Sequence, residues 1–186
     1  MGRGAAMARA TVLLSGGVDS TSCIHFLQTR AFEVRAIYVD FGQPAAVIEW
    51  AKVVAVSRLF GIPSTKVTCS SDSEFGVGEL GGRNAFLLFA AMLLGKCEDG
   101  LLVMGIHSGS PYFDCSPEFV DMVARLVSAC SSDRLQVHMP FLSWTKADVY
   151  AYFRSTGINP QLTYSCEAGT DSPCGDCLSC RDRRLL

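Results

Sequence analysis

Five times along the chain a short β-rich apolar run is followed by a turn or loop and then by an amphipathic stretch of helical length. No other feature limits the fold so strongly, because strands separated by helices pair in parallel through right-handed crossovers. The expected strands are Ala10 to Leu14, Val34 to Val39, Thr65 to Thr68, Leu101 to Ile106 and Leu135 to His138. Each is apolar enough to be covered on both faces. The expected helices are Asp19 to Thr29, Ala45 to Phe60, Arg83 to Cys97, Pro117 to Ala129 and Lys146 to Ser155. Gly61 ahead of Pro63 and Gly157 ahead of Pro160 stop two of them. The class is α/β, an open parallel sheet with helices on both faces. Ligands of such sheets gather at the carboxyl ends of the strands. Two irregular stretches follow expected strands there, Cys69 to Gly82 and His107 to Ser116.

The first strand runs directly into Ser15-Gly16-Gly17-Val18-Asp19-Ser20 and then into the first helix. Two glycines let the backbone turn tightly against an anion, and the free N–H groups and dipole of the helix start favour phosphate. Ser15 and Ser20 add hydroxyl donors. A Walker A loop would need G-x-x-x-x-G-K-[ST], which is absent here. Out of context the string could be a turn with Asp19 as helix cap. At this position S-G-G-x-D-S resembles the pyrophosphatase loop of enzymes that split ATP between its α and β phosphates. That resemblance implies ATP contacts from Leu14, Ser15, Gly16, Gly17, Val18, Asp19, Ser20 and Thr21, with a Mg2+ ion associated with Asp19.

At 186 residues the chain suffices for one domain plus a small appendage. A formal net charge of −2 provides no basic field for nucleic acid, so none is expected as a partner. No apolar run reaches the roughly 18 to 20 residues that span a bilayer. The apolar segment after MGRGAAMARA stops at the glycines before a secretory core could form. The expected compartment is the cytoplasm, where thiols stay reduced; whether Met1 or Met7 begins the protein is left open. Of nine cysteines, five are scattered and four crowd together. Cys166, Cys174, Cys177 and Cys180 form C-x7-C-x2-C-x2-C, a spacing suited to a closed tetrahedral Zn2+ site of structural type. A disulfide pair and an iron–sulfur cluster are the alternatives. The chain is accordingly divided into an ATP-binding α/β domain, 1–160, and a zinc-binding tail, 161–186, packed on it.

Further strings follow in order: Phe41-Gly42-Gln43, Gly82-Arg83-Asn84, Phe113 to Phe119 (FDCSPEF), Pro140 to Lys146 (PFLSWTK) and Thr163-Tyr164-Ser165-Cys166. With the phosphate loop and the cysteine tail they resemble the 7-cyano-7-deazaguanine synthases of the queuosine pathway, from about Thr11 to Arg183. The resemblance implies an adenine nucleotide alpha hydrolase-like fold. It also implies an ATP-dependent, AMP-forming carbon–nitrogen ligase acting on 7-carboxy-7-deazaguanine and ammonia, commonly as a homodimer. Asp19 and Lys146 are then the catalytic pair, and Arg83, Asn84 and Asp114 lie near the substrate. His107 and Cys115 are read as structural.

The chain also departs from that pattern. Cys69 to Gly82 stands where the family usually carries a longer insertion, and Ser108 to Phe113 lacks an acidic residue the family has there. These changes leave room for a ligase that joins the carboxylate to another amine and stops at the amide. A tRNA-thiolating relative and a nucleotide-sensing module without turnover are more distant readings.

Overall fold

The computed structural model describes residues 7–184; the two leucines that end the tail, and Met1 as the alternative start, lie outside the described residues. Five strands, β1 (Arg9–Leu13), β2 (Glu33–Asp40), β3 (Ser64–Thr68), β4 (Gly100–Val103) and β5 (Leu135–His138), form one sheet in the order β3-β2-β1-β4-β5. Every pairing is parallel. The crossovers are α1 (Val18–Gln28), α2 (Ala46–Phe60), α3 (Arg83–Leu93) and α4 (Pro117–Cys130), with α5 (Lys146–Ser155) and a short α6 (Leu178–Arg183) following.

Strand alternation divides the core between the two faces. Ala10, Val12 and Leu14 of the first strand region, with Val34, Ala36 and Tyr38, pack with Ile24 and Leu27 of α1, Val53 and Val56 of α2 and Val149 of α5. Leu13, Ile37 and Val39 point the other way, into a cluster with Leu88 and Ala91 of α3 and Phe119, Val123 and Val127 of α4. The chain is thus an open α/β sheet covered on both sides, as the alternation predicts.

Two boundaries differ from expectation by more than one residue. The β4 ladder stops at Val103 rather than Ile106. At Gly105 the chain presses on the start of α1, where an added Cβ would stand 2.9 Å from the Asp19 carbonyl carbon and 3.0 Å from the Ser20 nitrogen. Helix α3 ends at Leu93 instead of Cys97, because Lys96 takes a left-handed φ of 50° and turns the chain back towards β4.

The sheet order changes direction at β1. One neighbour, β2, follows it at once, whereas the other, β4, arrives only after two further crossovers, so the connections splay apart above its carboxyl end. The Ser15–Ser20 loop sits in that crevice. The C-terminal segment folds back against it: the Tyr164 N–H donates to the Gly16 carbonyl at 2.9 Å. Tyr164, Cys166, Cys177 and Cys180 pack with Ala45 at the start of α2.

Candidate active site

Gly16 has a φ of 77°, and a Cβ there would lie 2.8 Å from the Lys52 Cβ and 3.1 Å from the Glu49 carbonyl. Only glycine combines that conformation with so close an approach of α2. Gly17 caps α1 in extended conformation with no side chain satisfying the first turn, leaving N–H donors for a ligand. Ser15 and Ser20 hold the loop shape, their hydroxyls 3.2 Å apart and Ser20 Oγ donating to the Gly17 carbonyl at 3.3 Å. Leu14, Ser15, Gly17, Asp19 and Ser20 line a cavity of about 390 Å³. Val18 and Thr21 turn into the core, Val18 against Tyr150 and Phe153.

The two residues expected to be catalytic are 127 apart in sequence and in contact in space. Lys146 Nζ donates to both carboxylate oxygens of Asp19, at 2.9 and 2.7 Å. Lys146 is the first residue of α5, fixed by a capping box in which Thr145 and Asp148 satisfy each other's backbone N–H groups. Both side chains border the cavity.

The opposite wall carries the residues expected near the substrate. Arg83 and Asn84 open α3 and line the cavity, and Asn84 is buried. Asp114 is placed differently. Its carboxylate accepts the Asn84 N–H at 3.2 Å and its carbonyl accepts Asn84 Nδ2 at 3.0 Å, so it holds Asn84 and caps a helix whose own Gly82 offers no side chain. Asp114→Ala is expected to lower the unfolding free energy by about 1–2 kcal/mol. A lower urea midpoint at unchanged m-value would register that loss. His107 also lines the cavity, its Nδ1 bonded to the Ser108 carbonyl. Cys115 borders it as a thiol that burial raises above its ordinary value.

Sequence reasoning passed over three acidic residues of this cavity, Glu49, Glu167 and Asp182. Glu49 Oε2 accepts from Tyr38 Oη and Gln43 Nε2, both at 2.9 Å, while its other oxygen takes no hydrogen bond among the described residues. Burial raises its carboxyl above the ordinary range, against the pull of the Gln43 and Tyr38 donors and the charge of Arg83. The Phe41-Gly42-Gln43 string was the available signal, since Gln43 is what fixes this carboxylate. Glu167 accepts from the Gly78 N–H at 3.0 Å and from Ser179 Oγ at 2.8 Å, clasping the 69–82 loop to the cysteine tail.

The four expected metal ligands come together: the sulfurs of Cys166, Cys174, Cys177 and Cys180 all lie within 4.8 Å of one another. Four thiolates on one tetrahedral ion with bonds of about 2.3 Å stand roughly 3.8 Å apart. A cubane cluster puts each ligand on a different iron and so needs wider spacing. Burial raises the Cys180 thiol, as do its sulfur neighbours, to about 12. For Cys166 burial is outweighed by the N–H groups of Cys174 and Ala168, which bring it down to about 6. A cation would relieve this mutual repulsion.

A family model described as queuosine biosynthesis protein QueC matches residues 9–80 and 74–185. The chain belongs to the QueC family. It is similar to a 7-cyano-7-deazaguanine synthase of Persephonella marina, 32% identical over 92% of this chain and 88% of the relative. With the enzyme of the same name from Aquifex aeolicus it shares 29% identity over 92% of this chain and 93% of the relative. The two stretches matched to the QueC model overlap at 74–80, inside the loop expected to be shorter than the family's.

Two solved structures share the fold. The U34-tRNA thiolase NcsA of Methanococcus maripaludis, with its [4Fe-4S] cluster, superposes with a TM-score of 0.58 at 19% identity, over 96% of this chain and 64% of that one. A 4-thiouridine synthetase in complex with RNA and bound ATP gives 0.52 at 16% identity, over 96% of this chain and 49% of that one. This QueC-family chain therefore spans about two thirds and about half of those proteins. Among its described residues no helix is long and apolar enough to cross a membrane.

Proposed function

We propose that the protein converts 7-carboxy-7-deazaguanine and ammonia to 7-cyano-7-deazaguanine at the expense of ATP. The observation that carries this reading is the Lys146–Asp19 pair beside the phosphate loop of a QueC-family chain. A carboxylate is a poor electrophile because its leaving group would be oxide; transfer of AMP to it supplies a good one. A substrate oxygen attacks the α-phosphorus, and pyrophosphate leaves onto the N–H groups at the start of α1 and the hydroxyls of Ser15 and Ser20. Lys146 neutralises charge that builds on the phosphates, in a site already preorganised for it. Ammonia then displaces AMP to give the amide. Attack of the amide oxygen on a second ATP releases pyrophosphate, and loss of AMP, which carries that oxygen away, together with both amide protons leaves the nitrile.

Magnesium bound with ATP would be held at Asp19, whose partly exposed carboxylate suits a hard cation, and would supply charge neutralisation at the phosphates. Arg83 and Asn84 would contact the deazaguanine, with Asp114 positioning Asn84. The compact cysteine set supports structural Zn2+ in a tail, 161–186, attached to the ATP-binding part, 1–160. Free thiols throughout accord with a cytoplasmic protein. Exposed Phe86 and Leu93 of α3 and Met122 and Leu126 of α4 supply apolar surface for the family's homodimer.

The break in the QueC match at 74–80 favours a second reading, in which the shorter wall admits another amine and the reaction stops at the amide. Purified protein incubated with ATP, magnesium, the carboxylate and ammonium is expected to give nitrile and AMP by mass spectrometry. An amide that accumulates with ample ATP would move the assignment to the second reading. No AMP at all would overturn both.

A further inference from the structure

The segment that leads into the cysteine tail runs alongside the phosphate loop. Tyr164 donates its N–H to the Gly16 carbonyl at 2.9 Å. Ser165, the next residue, borders the same cavity as Ser15, Gly17 and Ser20, and its Oγ lies 3.8 Å from where a Cβ on Gly17 would stand.

The polarity of that hydroxyl follows from its neighbour. Arg183 Nη1 reaches Ser165 Oγ at 3.4 Å and Thr163 Oγ1 at 3.0 Å, while Nη2 reaches the carbonyls of Pro160 at 2.6 Å and Thr163 at 3.2 Å. A guanidinium only donates, so both hydroxyl oxygens must accept from it and send their protons elsewhere. Thr163 spends its proton on the Pro160 carbonyl at 2.8 Å. The Ser165 proton has no acceptor among the described residues. Ser15 and Ser20 differ, being engaged with each other and with the Gly17 backbone. A half-buried hydroxyl whose oxygen is held by a cation, beside an anion-binding loop, is a donor free to turn to an acceptor-only group.

We propose that Ser165 donates its hydroxyl proton to a phosphate oxygen of the bound nucleotide, completing the loop from the C-terminal side, and that Arg183 holds it in that orientation. The proposal rests on the reading above, in which ATP occupies the Ser15–Ser20 loop. It gives the cysteine tail a part in nucleotide binding: Cys177 caps α6, Cys180 lies within it, and Arg183 is its last residue.

The test uses the full chain with its metal bound, and two measurements: pyrophosphate affinity by calorimetry and KM for ATP in the AMP-forming assay. Ser165→Ala is expected to weaken pyrophosphate binding and raise KM for ATP about tenfold, the scale of one charge-assisted hydrogen bond. Melting temperature and metal content should stay unchanged. Ser165→Thr, which keeps the hydroxyl, is expected to recover most of the affinity. Wild-type pyrophosphate affinity in Ser165→Ala, while the wild-type protein turns ATP into AMP, would overturn the proposal alone. Equal losses in the alanine and threonine variants would also overturn it, because they would trace to packing. A wild-type protein that neither binds pyrophosphate nor forms AMP would overturn this proposal and the nucleotide reading together.

Discussion

Lys146→Met is expected to slow AMP formation by about a hundredfold to a thousandfold while leaving the protein folded. The magnitude is that of removing one preorganised donor or cation from developing transition-state charge. Stability should hardly move. The Lys146–Asp19 pair is partly exposed, with side chains 18% and 28% accessible, and such pairs contribute under about 1 kcal/mol. Methionine also keeps the stem against Tyr150, above whose ring the Lys146 ammonium lies at 4.9 Å. Asp19 stays in the first turn of α1, where the helix dipole favours its charge. Steady-state AMP release and a thermal melt on the same preparation separate the two effects. A variant with near wild-type turnover would remove Lys146 from the catalytic machinery. Asp19→Asn should cost a similar factor, and the double variant much less than the product of the two, since the residues act as one unit.

Loss of the proposed metal is the second large expected effect. Treatment with a strong chelator, or Cys177→Ser, is expected to lower the melting temperature by roughly 10 °C, given about 2–4 °C per kcal/mol in chains of this size and several kcal/mol from a structural metal. The tail has little else to hold it. Among the described residues, its buried hydrophobic residues are three of the cysteines themselves, Cys166, Cys177 and Cys180, with Tyr164 against Ala45. Releasing α6 would also release Arg183 from Thr163 and Ser165, and the Glu167 clasp from Ser179. Elemental analysis should find one zinc per chain before treatment and none after. An unchanged melt in metal-free protein would show that packing alone holds the tail.

The fold was legible because local signals and burial agree. Alternating apolar residues such as Val34, Ala36 and Tyr38 against Ile37 and Val39 fill two faces of a parallel sheet, and that pattern is visible one residue at a time. The early ends of β4 and α3 were not, because they depend on tertiary contacts: Gly105 meets the start of α1, and Lys96 turns left-handed. Helix α6 is too short for a periodic signal and is set among cysteines and turn residues. Within the site, the loop, Lys146 and the cysteines carried spacing that chemistry makes distinctive. The hydrogen bonds by which Asp114 holds Asn84 have no sequence signal, and Glu49 is unmarked because an acidic residue in the first turn of a helix is ordinary. Only the approach of Gln43 and Tyr38 marks it out.

The contact between Gly16 and Tyr164 has a consequence for how the protein is made. A ribosome delivers the phosphate loop well before the cysteine tail, and β1 can pair with β2 soon afterwards. The loop's carbonyl nevertheless waits for an N–H almost 150 residues downstream, and β1 lacks its other neighbour until β4 emerges. A nascent chain can therefore build half of its sheet early yet cannot close the Ser15–Ser20 loop until the segment that leads into the cysteine tail has been synthesised.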